Sequence, residues 1–84
     1  MLVLEVRKKF GEVLKSWVAS KAPREKIGVW TFSFYWENMA EVSDELRETL
    51  ITIHTMEMGE QFFFSYEELD KIADDLIAGK DVKL

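Results

Sequence analysis

Apolar residues recur with a helical period in the last third of the chain. In the segment FSYEELDKIADDLIAGK, one face of a helix would carry Leu69, Ile72, Ala73, Leu76 and Ile77. Ser65 stands before this stripe, and Glu68 follows three residues later, which is the pattern of a capping box. Gly79 lies where helices often end in a left-handed residue. The pattern therefore predicts a helix over residues 65–78.

The segment VSDELRETLITIHTMEM has the same period. Leu46, Leu50 and Ile53 recur at i, i+4 and i+7, and Ser43 precedes them as a candidate N-cap. The portion LITIHT is β-branched and is also compatible with a strand. The cap and the apolar stripe favour a helix from residue 43 to about 57.

The N-terminal segment also carries a helical stripe, formed by Val6, Phe10, Val13, Leu14, Trp17 and Val18. It predicts a helix from about residue 3 to residue 20, although the opening MLVLEV is also compatible with a short strand. Pro23, in the sequence SKAPRE, suits the first turn of the next helix.

The aromatic segment IGVWTFSFYW, residues 27–36, is ambiguous. With a period of two, its aromatic side chains share one face of a strand. With a period of 3.6, apolar residues divide between two sides of a helix, with Ile27, Trp30 and Phe34 on one side and Phe32, Trp36 and Met39 on the other. A strand here would lack a good partner, so we favour a helix over residues 24–41, covered on several sides by other helices. The expected fold is all-α, a compact bundle of about four short helices in a single domain over residues 1–84.

Composition narrows the class of protein without naming an activity. Hydrophobic residues make up 48% of the 84 positions, which is typical of a chain that folds. Cysteine is absent, so disulfides and thiolate metal ligands are excluded. No stretch approaches the roughly 20 apolar residues that span a bilayer, and MLVLEVRKKF does not have the pattern of a secretory signal. We therefore expect a soluble, cytoplasmic protein that does not contact a membrane.

Charge is distributed unevenly along the chain. Residues 1–26 contain seven Lys/Arg and three Glu, whereas residues 27–84 contain four Lys/Arg and thirteen Asp/Glu, for a net charge of −5. An acidic surface repels nucleic-acid phosphate and attracts basic proteins, so nucleic acid is not the expected partner. The minor alternative of nucleic-acid binding would use the basic residues of the first third, Arg7, Lys8, Lys9, Lys15, Lys21, Arg24 and Lys26.

The sequence offers little for catalysis or for binding a cofactor. His54 is the single histidine, and without cysteine a zinc site of the His/Cys type has no ligand set. No nucleophile motif accompanies His54, and the four glycines are too scattered to form a phosphate-binding loop. We therefore predict a protein that is not an enzyme, with no catalytic residues, cofactor or metal ion.

Two groups of residues are candidates for binding a protein partner. They are Tyr35, Trp36, Glu37, Glu41, Glu67, Asp70 and Asp74. The first four combine aromatic anchors with carboxylates, which suits a basic protein surface. The last three recur at i, i+3 and i+7 on the final predicted helix, opposite its apolar stripe. A solvated surface without a partner is the simpler interpretation of the same charges.

The segments LKSWVASKAPREKIGVW, SDELRETLITI and FSYEELDKIADDLI together resemble small bacterial immunity proteins of the colicin type. This resemblance spans roughly residues 14–77. It implies a helical protein that binds and blocks a cognate toxin, often a nuclease. The expected function is therefore a small acidic inhibitor of a basic toxin or nuclease, and the alternative is a non-catalytic module that forms homodimers.

Overall fold

The computed structural model of the chain describes residues 3–82, and these residues form four α-helices joined by short connections. The helices are α1 (Val3–Ala19), α2 (Arg24–Asn38), α3 (Asp44–His54) and α4 (Tyr66–Ile77). Short 3-10 turns follow α2 at Met39–Glu41 and α3 at Thr55–Met58, and another lies at Glu60–Phe62. The structure thus confirms the predicted all-α bundle of four helices.

Side-chain caps fix where two of the helices begin. The Ser65 hydroxyl accepts a hydrogen bond from the Glu68 N–H, and the Glu68 carboxylate accepts one from the Ser65 N–H, which completes the predicted capping box. The Ser43 hydroxyl likewise accepts a hydrogen bond from the Leu46 N–H. Each cap satisfies backbone groups that the first helical turn leaves unpaired. The strand interpretations of LITIHT and of residues 27–36 are wrong, because these segments belong to α3 and α2.

The helices form two antiparallel pairs that share one core. α1 packs along α4, and α2 packs along α3 and the turn that follows it. Aromatic rings join the pairs, since Phe10 of α1 stacks on Trp30 of α2 at 4.9 Å and meets Phe34 edge-on at 5.2 Å. Trp17 extends the contact to Trp30 at 6.0 Å. We call Phe10, Trp17, Trp30 and Phe34 the aromatic joint.

The close packing of α1 on α4 depends on Gly11. A Cβ atom at this position would lie 2.8 Å from the Ala73 carbonyl oxygen and 2.9 Å from a side-chain carbon of Ile77. Real Cβ atoms do not approach backbone oxygen this closely, so glycine sets the separation of the two helices. The sequence pattern had excluded Gly11 from the apolar stripe of α1, yet it lies buried against α4.

Two arginines hold the ends of the bundle together. The Arg24 guanidinium lies between the rings of Phe63 and Tyr66, at 4.9 and 4.6 Å, and donates a hydrogen bond to the Phe64 carbonyl. The Arg7 guanidinium is buried; it donates to the Gly79 carbonyl and pairs with Asp81 at 2.7 Å. Gly79 has the predicted left-handed conformation, with φ of 82°, which turns the chain end back toward α1.

None of the helices, within residues 3–82, has the length and apolarity needed to cross a bilayer.

The contact at Gly11 yields a prediction for stability. We expect Gly11→Ala to lower the free energy of unfolding by about 1–2 kcal/mol. Overpacking costs about 1–3 kcal/mol and outweighs the roughly 0.5–1 kcal/mol that alanine gains over glycine inside a helix. Urea unfolding followed by circular dichroism measures the difference.

The matched control is Lys8→Ala, which changes an exposed position on the same helix. This control should stay within about 0.5 kcal/mol of the wild type. A Gly11→Ala protein as stable as the wild type would show that α1 and α4 can separate without cost.

Candidate functional site

The outer face of α2 carries large apolar side chains that the bundle does not cover. Val29, Phe32 and Trp36 lie on this face, and Met39 continues it into the following turn. The exposed fractions are 43% for Phe32 and 57% for Trp36. Ile27 and Phe34 occupy the opposite face and are buried. We call Val29, Phe32, Trp36 and Met39 the outer stripe.

This arrangement corrects one prediction made from the sequence. The division of α2 into two apolar sides is confirmed, but the helix is not covered on several sides. Its inward face packs on α1 and α3, and its outer face meets solvent. An apolar stripe of this kind is unusual on a small protein surface and often marks an interaction site.

Gly28 brings α2 into close contact with the end of α3. A Cβ atom on Gly28 would lie 2.9 Å from the Glu57 nitrogen and 3.0 Å from the His54 carbonyl oxygen. One turn further along α2, the Phe32 ring stacks on the His54 ring at 4.6 Å. The Nδ1 atom of His54 lies 3.3 Å from the Gly28 carbonyl oxygen, and its Nε2 atom lies 3.6 Å from a Glu57 carboxylate oxygen. The backbone contact at Gly28 thus places the His54 ring beneath Phe32.

Beside this stack, a groove of about 180 Å³ runs between α2 and α3. Its lining residues are Thr31, Phe32, Tyr35, Leu50, Ile51 and His54. Thr31 and Leu50 are buried, whereas Ile51 is 47% exposed. The Thr31 hydroxyl donates to the Ile27 carbonyl at 2.8 Å, so its hydrogen bond is made within α2. The groove therefore presents an almost wholly apolar surface.

The net charge of the chain is concentrated in the half of the fold that carries the outer stripe. Residues 24–62, which include α2 and α3, contain eight Asp/Glu and three Lys/Arg. The remaining residues contain eight Asp/Glu and eight Lys/Arg. The α2–α3 half thus holds a charge of −5, and the rest of the chain is neutral in sum. The large hydrophobic side chains exposed among the described residues all lie in the same half, at Val29, Phe32, Trp36, Met39, Ile51, Met58 and Phe62.

The structure brings together the first four predicted partner-binding residues, at the end of α2 and in the turn after it. Trp36 and Glu37 are exposed, and Tyr35 forms part of the groove wall. The Tyr35 and Trp36 rings lie 6.3 Å apart. Glu41 is half-buried in the 3-10 turn. These residues form one edge of the apolar and acidic surface described above.

The other three predicted residues lie on α4, in the other helix pair. Glu67 is exposed. Asp70 and Asp74 both face Lys15 of α1, whose amino group pairs with Asp74 and lies 3.4 Å from Asp70. Because Lys15 is engaged with both carboxylates, this side of α4 is partly neutralised from within the chain. The seven predicted residues therefore do not form one surface.

The basic residues of the first third are also divided by the fold. Arg7 is buried in its ion pair with Asp81, and Arg24 is held between Phe63 and Tyr66. Lys15 binds the α4 carboxylates. These three side chains serve contacts within the bundle, which weakens the alternative of a basic nucleic-acid surface.

Sequence reasoning missed most of the groove and much of the outer stripe. Val29 and Ile51 had been assigned no role, and Phe32 and Met39 had been placed on a side of α2 expected to be covered. The signal was present in the spacing, because the outer stripe recurs at i, i+3, i+7 and i+10. Spacing alone does not tell which of two apolar sides faces the core.

The chemistry that this surface offers is that of non-covalent recognition. Apolar anchors and a shallow groove provide contact area, and surrounding carboxylates provide negative potential. Among the side chains of the described residues, no three His, Asp or Glu groups are grouped so that they could hold a metal ion.

Comparisons with known proteins gave no match to a family model, to a curated protein or to a solved structure. The resemblance to immunity proteins therefore stays a hypothesis drawn from the sequence.

The Lys15 cluster yields a prediction about pH. Lys15 donates a hydrogen bond to the Asp74 carboxylate, and this bond, reinforced by Asp70, raises the pKa of Lys15 above its ordinary value of 10.5. A raised pKa in the folded state contributes stability that is complete below pH 10.5 and is lost as pH rises through the folded-state pKa. The difference in urea midpoint between wild type and Lys15→Gln should therefore shrink as pH rises from about 9 to about 12.

Lys9→Gln is the control, because Lys9 is an exposed lysine on the same helix. Its difference from the wild type should stay nearly constant over this pH range. A Lys15→Gln difference that is equally constant would contradict the assignment of the cluster.

Proposed function

We propose that this chain is an inhibitor of the immunity type, which binds a protein with a positively charged surface and blocks it. The observation that carries this proposal is the overlap of two features on the α2–α3 half. Among the residues that the structure describes, the exposed large hydrophobic side chains all lie in the 39-residue stretch 24–62, and the same stretch carries the entire net negative charge of the chain. A toxic nuclease presents a complementary basic surface, since it must bind phosphate.

The two features would act at different stages of binding. The carboxylates of the α2–α3 half attract a basic partner over distance and raise the association rate. Trp36, Phe32 and Ile51 then lose their exposed apolar area, which slows dissociation. We also propose that the protein is bacterial and cytoplasmic. Its relationship to immunity proteins of the colicin type, which the sequence resemblance implies, is part of the same proposal.

A homodimer is the second candidate, because the outer stripe could also pair with that of another copy. Like charges oppose this arrangement, since the α2–α3 half of each copy carries a net charge of −5. Crosslinking from α2 distinguishes the two candidates, because an inhibitor would attach a basic partner protein and a homodimer would attach a second copy of the chain.

A photo-crosslinking experiment tests the location of the interface. A benzophenone amino acid replaces Trp36 on α2 or, as the control, Glu67 on α4, and both proteins are irradiated in the native host. We expect the Trp36 position to attach a basic protein whose activity the purified wild-type chain inhibits. The Glu67 position should attach none of it. Attachment of a second copy at Trp36 would support the homodimer, and attachment to the same partner from Glu67 alone would place the interface on α4.

Charge reversal with the identified partner gives a second prediction. Glu37→Lys and Glu67→Lys make the same charge change at exposed positions on α2 and α4. We expect Glu37→Lys to slow association about tenfold at low salt, by the loss of local attraction, and Glu67→Lys to have a smaller effect. Stopped-flow measurements at low and high salt check this. Equal association rates for the two variants would mean that the net charge of the chain, and not its location, determines the rate of association.

A further inference from the structure

The groove between α2 and α3 has a shape and chemistry that define its partner more closely. Resting on the proposed function, we infer that the groove binds a basic amphipathic helix of the partner protein. One large apolar side chain of that helix enters between Phe32 and Ile51. Its flanking Lys and Arg side chains meet the carboxylates of the α2–α3 half.

The groove floor accepts an apolar group. Leu50 is buried there, and the hydroxyl of Thr31 already donates to the Ile27 carbonyl. Phe32, Tyr35 and Ile51 contribute apolar wall, and the volume of about 180 Å³ suits a single large side chain. A charged side chain in this position would lose its hydration without gaining a partner on the floor.

The outer stripe has the length of a helical contact. Val29 and Met39 are ten residues apart, which corresponds to about 15 Å along a helix axis. A partner helix with apolar residues at i, i+3 or i+4, and i+7 covers about 10 Å. It would lie along the furrow between the antiparallel α2 and α3, as helices do when they pack on a helical pair.

Carboxylates outnumber basic side chains in the α2–α3 half that contains the groove. On α2, exposed Glu25 and Lys26 lie four and three residues before Val29 and share its face, whereas exposed Glu37 is turned about 100° from Trp36 around the helix. On α3, exposed Asp44 and Glu48 lie seven and three residues before Ile51 and share its face, together with exposed Arg47 four residues before it. The net charge of −5 on the α2–α3 half therefore favours a partner helix with positive charge beside its apolar strip. A second copy of the α2–α3 half would instead bring more carboxylates to the contact.

A synthetic peptide tests the inference directly. The probe is an amidated peptide of about 15 residues made of Leu and Lys, with Leu at the helical spacing described above. A second peptide has the same composition in an order without helical period, and a third replaces Lys by Glu. Binding is followed through the amide NMR signals of Ile51 and His54, with dissociation constants from titration.

We expect the periodic Lys peptide to bind with shifts centred on Ile51 and His54, and the Glu peptide not to bind. Ile51→Arg, at an exposed position, should weaken binding at least about tenfold because it places like charge at the groove mouth. Ala19→Arg adds the same charge at an exposed position of α1 and should leave peptide binding nearly unchanged. Circular dichroism confirms that both variants keep the helical fold.

Equal binding of the periodic and the scrambled Lys peptides would overturn the inference, because it would show attraction by charge alone. Unchanged binding by Ile51→Arg, or shifts confined to α1 and α4, would overturn it as well. These results leave the proposed inhibitor function standing if the Trp36 position still attaches a basic protein. Failure of that attachment removes the proposed function, even where the peptide binds.

Discussion

The aromatic joint between α1 and α2 is the contact on which the rest of the surface depends. Phe10 stacks on Trp30 and meets Phe34 edge-on, so it fixes both the distance and the rotation of α2 against α1. Such ring pairs add to the free energy of burial and prefer defined geometries. A helix whose inward side is fixed in this way has its opposite side fixed too. Phe32 and Trp36 lie on that opposite side, and no further helix within residues 3–82 covers them.

The distribution of charge follows from how the helices pair. α1, which holds four of the eleven Lys/Arg residues and two Glu, lies along the acidic α4, and Lys15 and Arg7 form ion pairs with carboxylates of α4 and the segment after it. These pairs neutralise within the molecule what looks in the sequence like a basic end and an acidic end. In the α2–α3 half three Lys/Arg accompany eight Asp/Glu, so the net negative charge of the chain remains there. The uneven charge along the sequence thus becomes, through the pairing of the helices, a difference in charge between the α1–α4 pair and the α2–α3 half.

Local patterns predicted the helices well because caps and apolar periods are local properties. Ser65 with Glu68, and Ser43, mark helix starts whatever lies around them. Features that depend on contacts between distant residues were not predicted. The predicted apolar stripe of α1 left out Gly11, although its lack of a side chain lets α1 approach Ala73. The pairing of Asp70 and Asp74 with Lys15 also needed the fold, because 55 and 59 residues separate the partners.

Under the proposed function, the carboxylates of the α2–α3 half would serve two purposes by one mechanism. An exposed strip with Phe32 and Trp36 tends to associate with any other apolar surface, including that of another copy. Carboxylates beside it repel a second negatively charged copy and attract a positively charged partner. In the proposed complex, the carboxylates would therefore select among apolar surfaces by the sign of their charge, while the apolar side chains would supply most of the contact area. The side chains of the outer stripe keep about half of their surface exposed, and the proposed binding would bury this remaining apolar area.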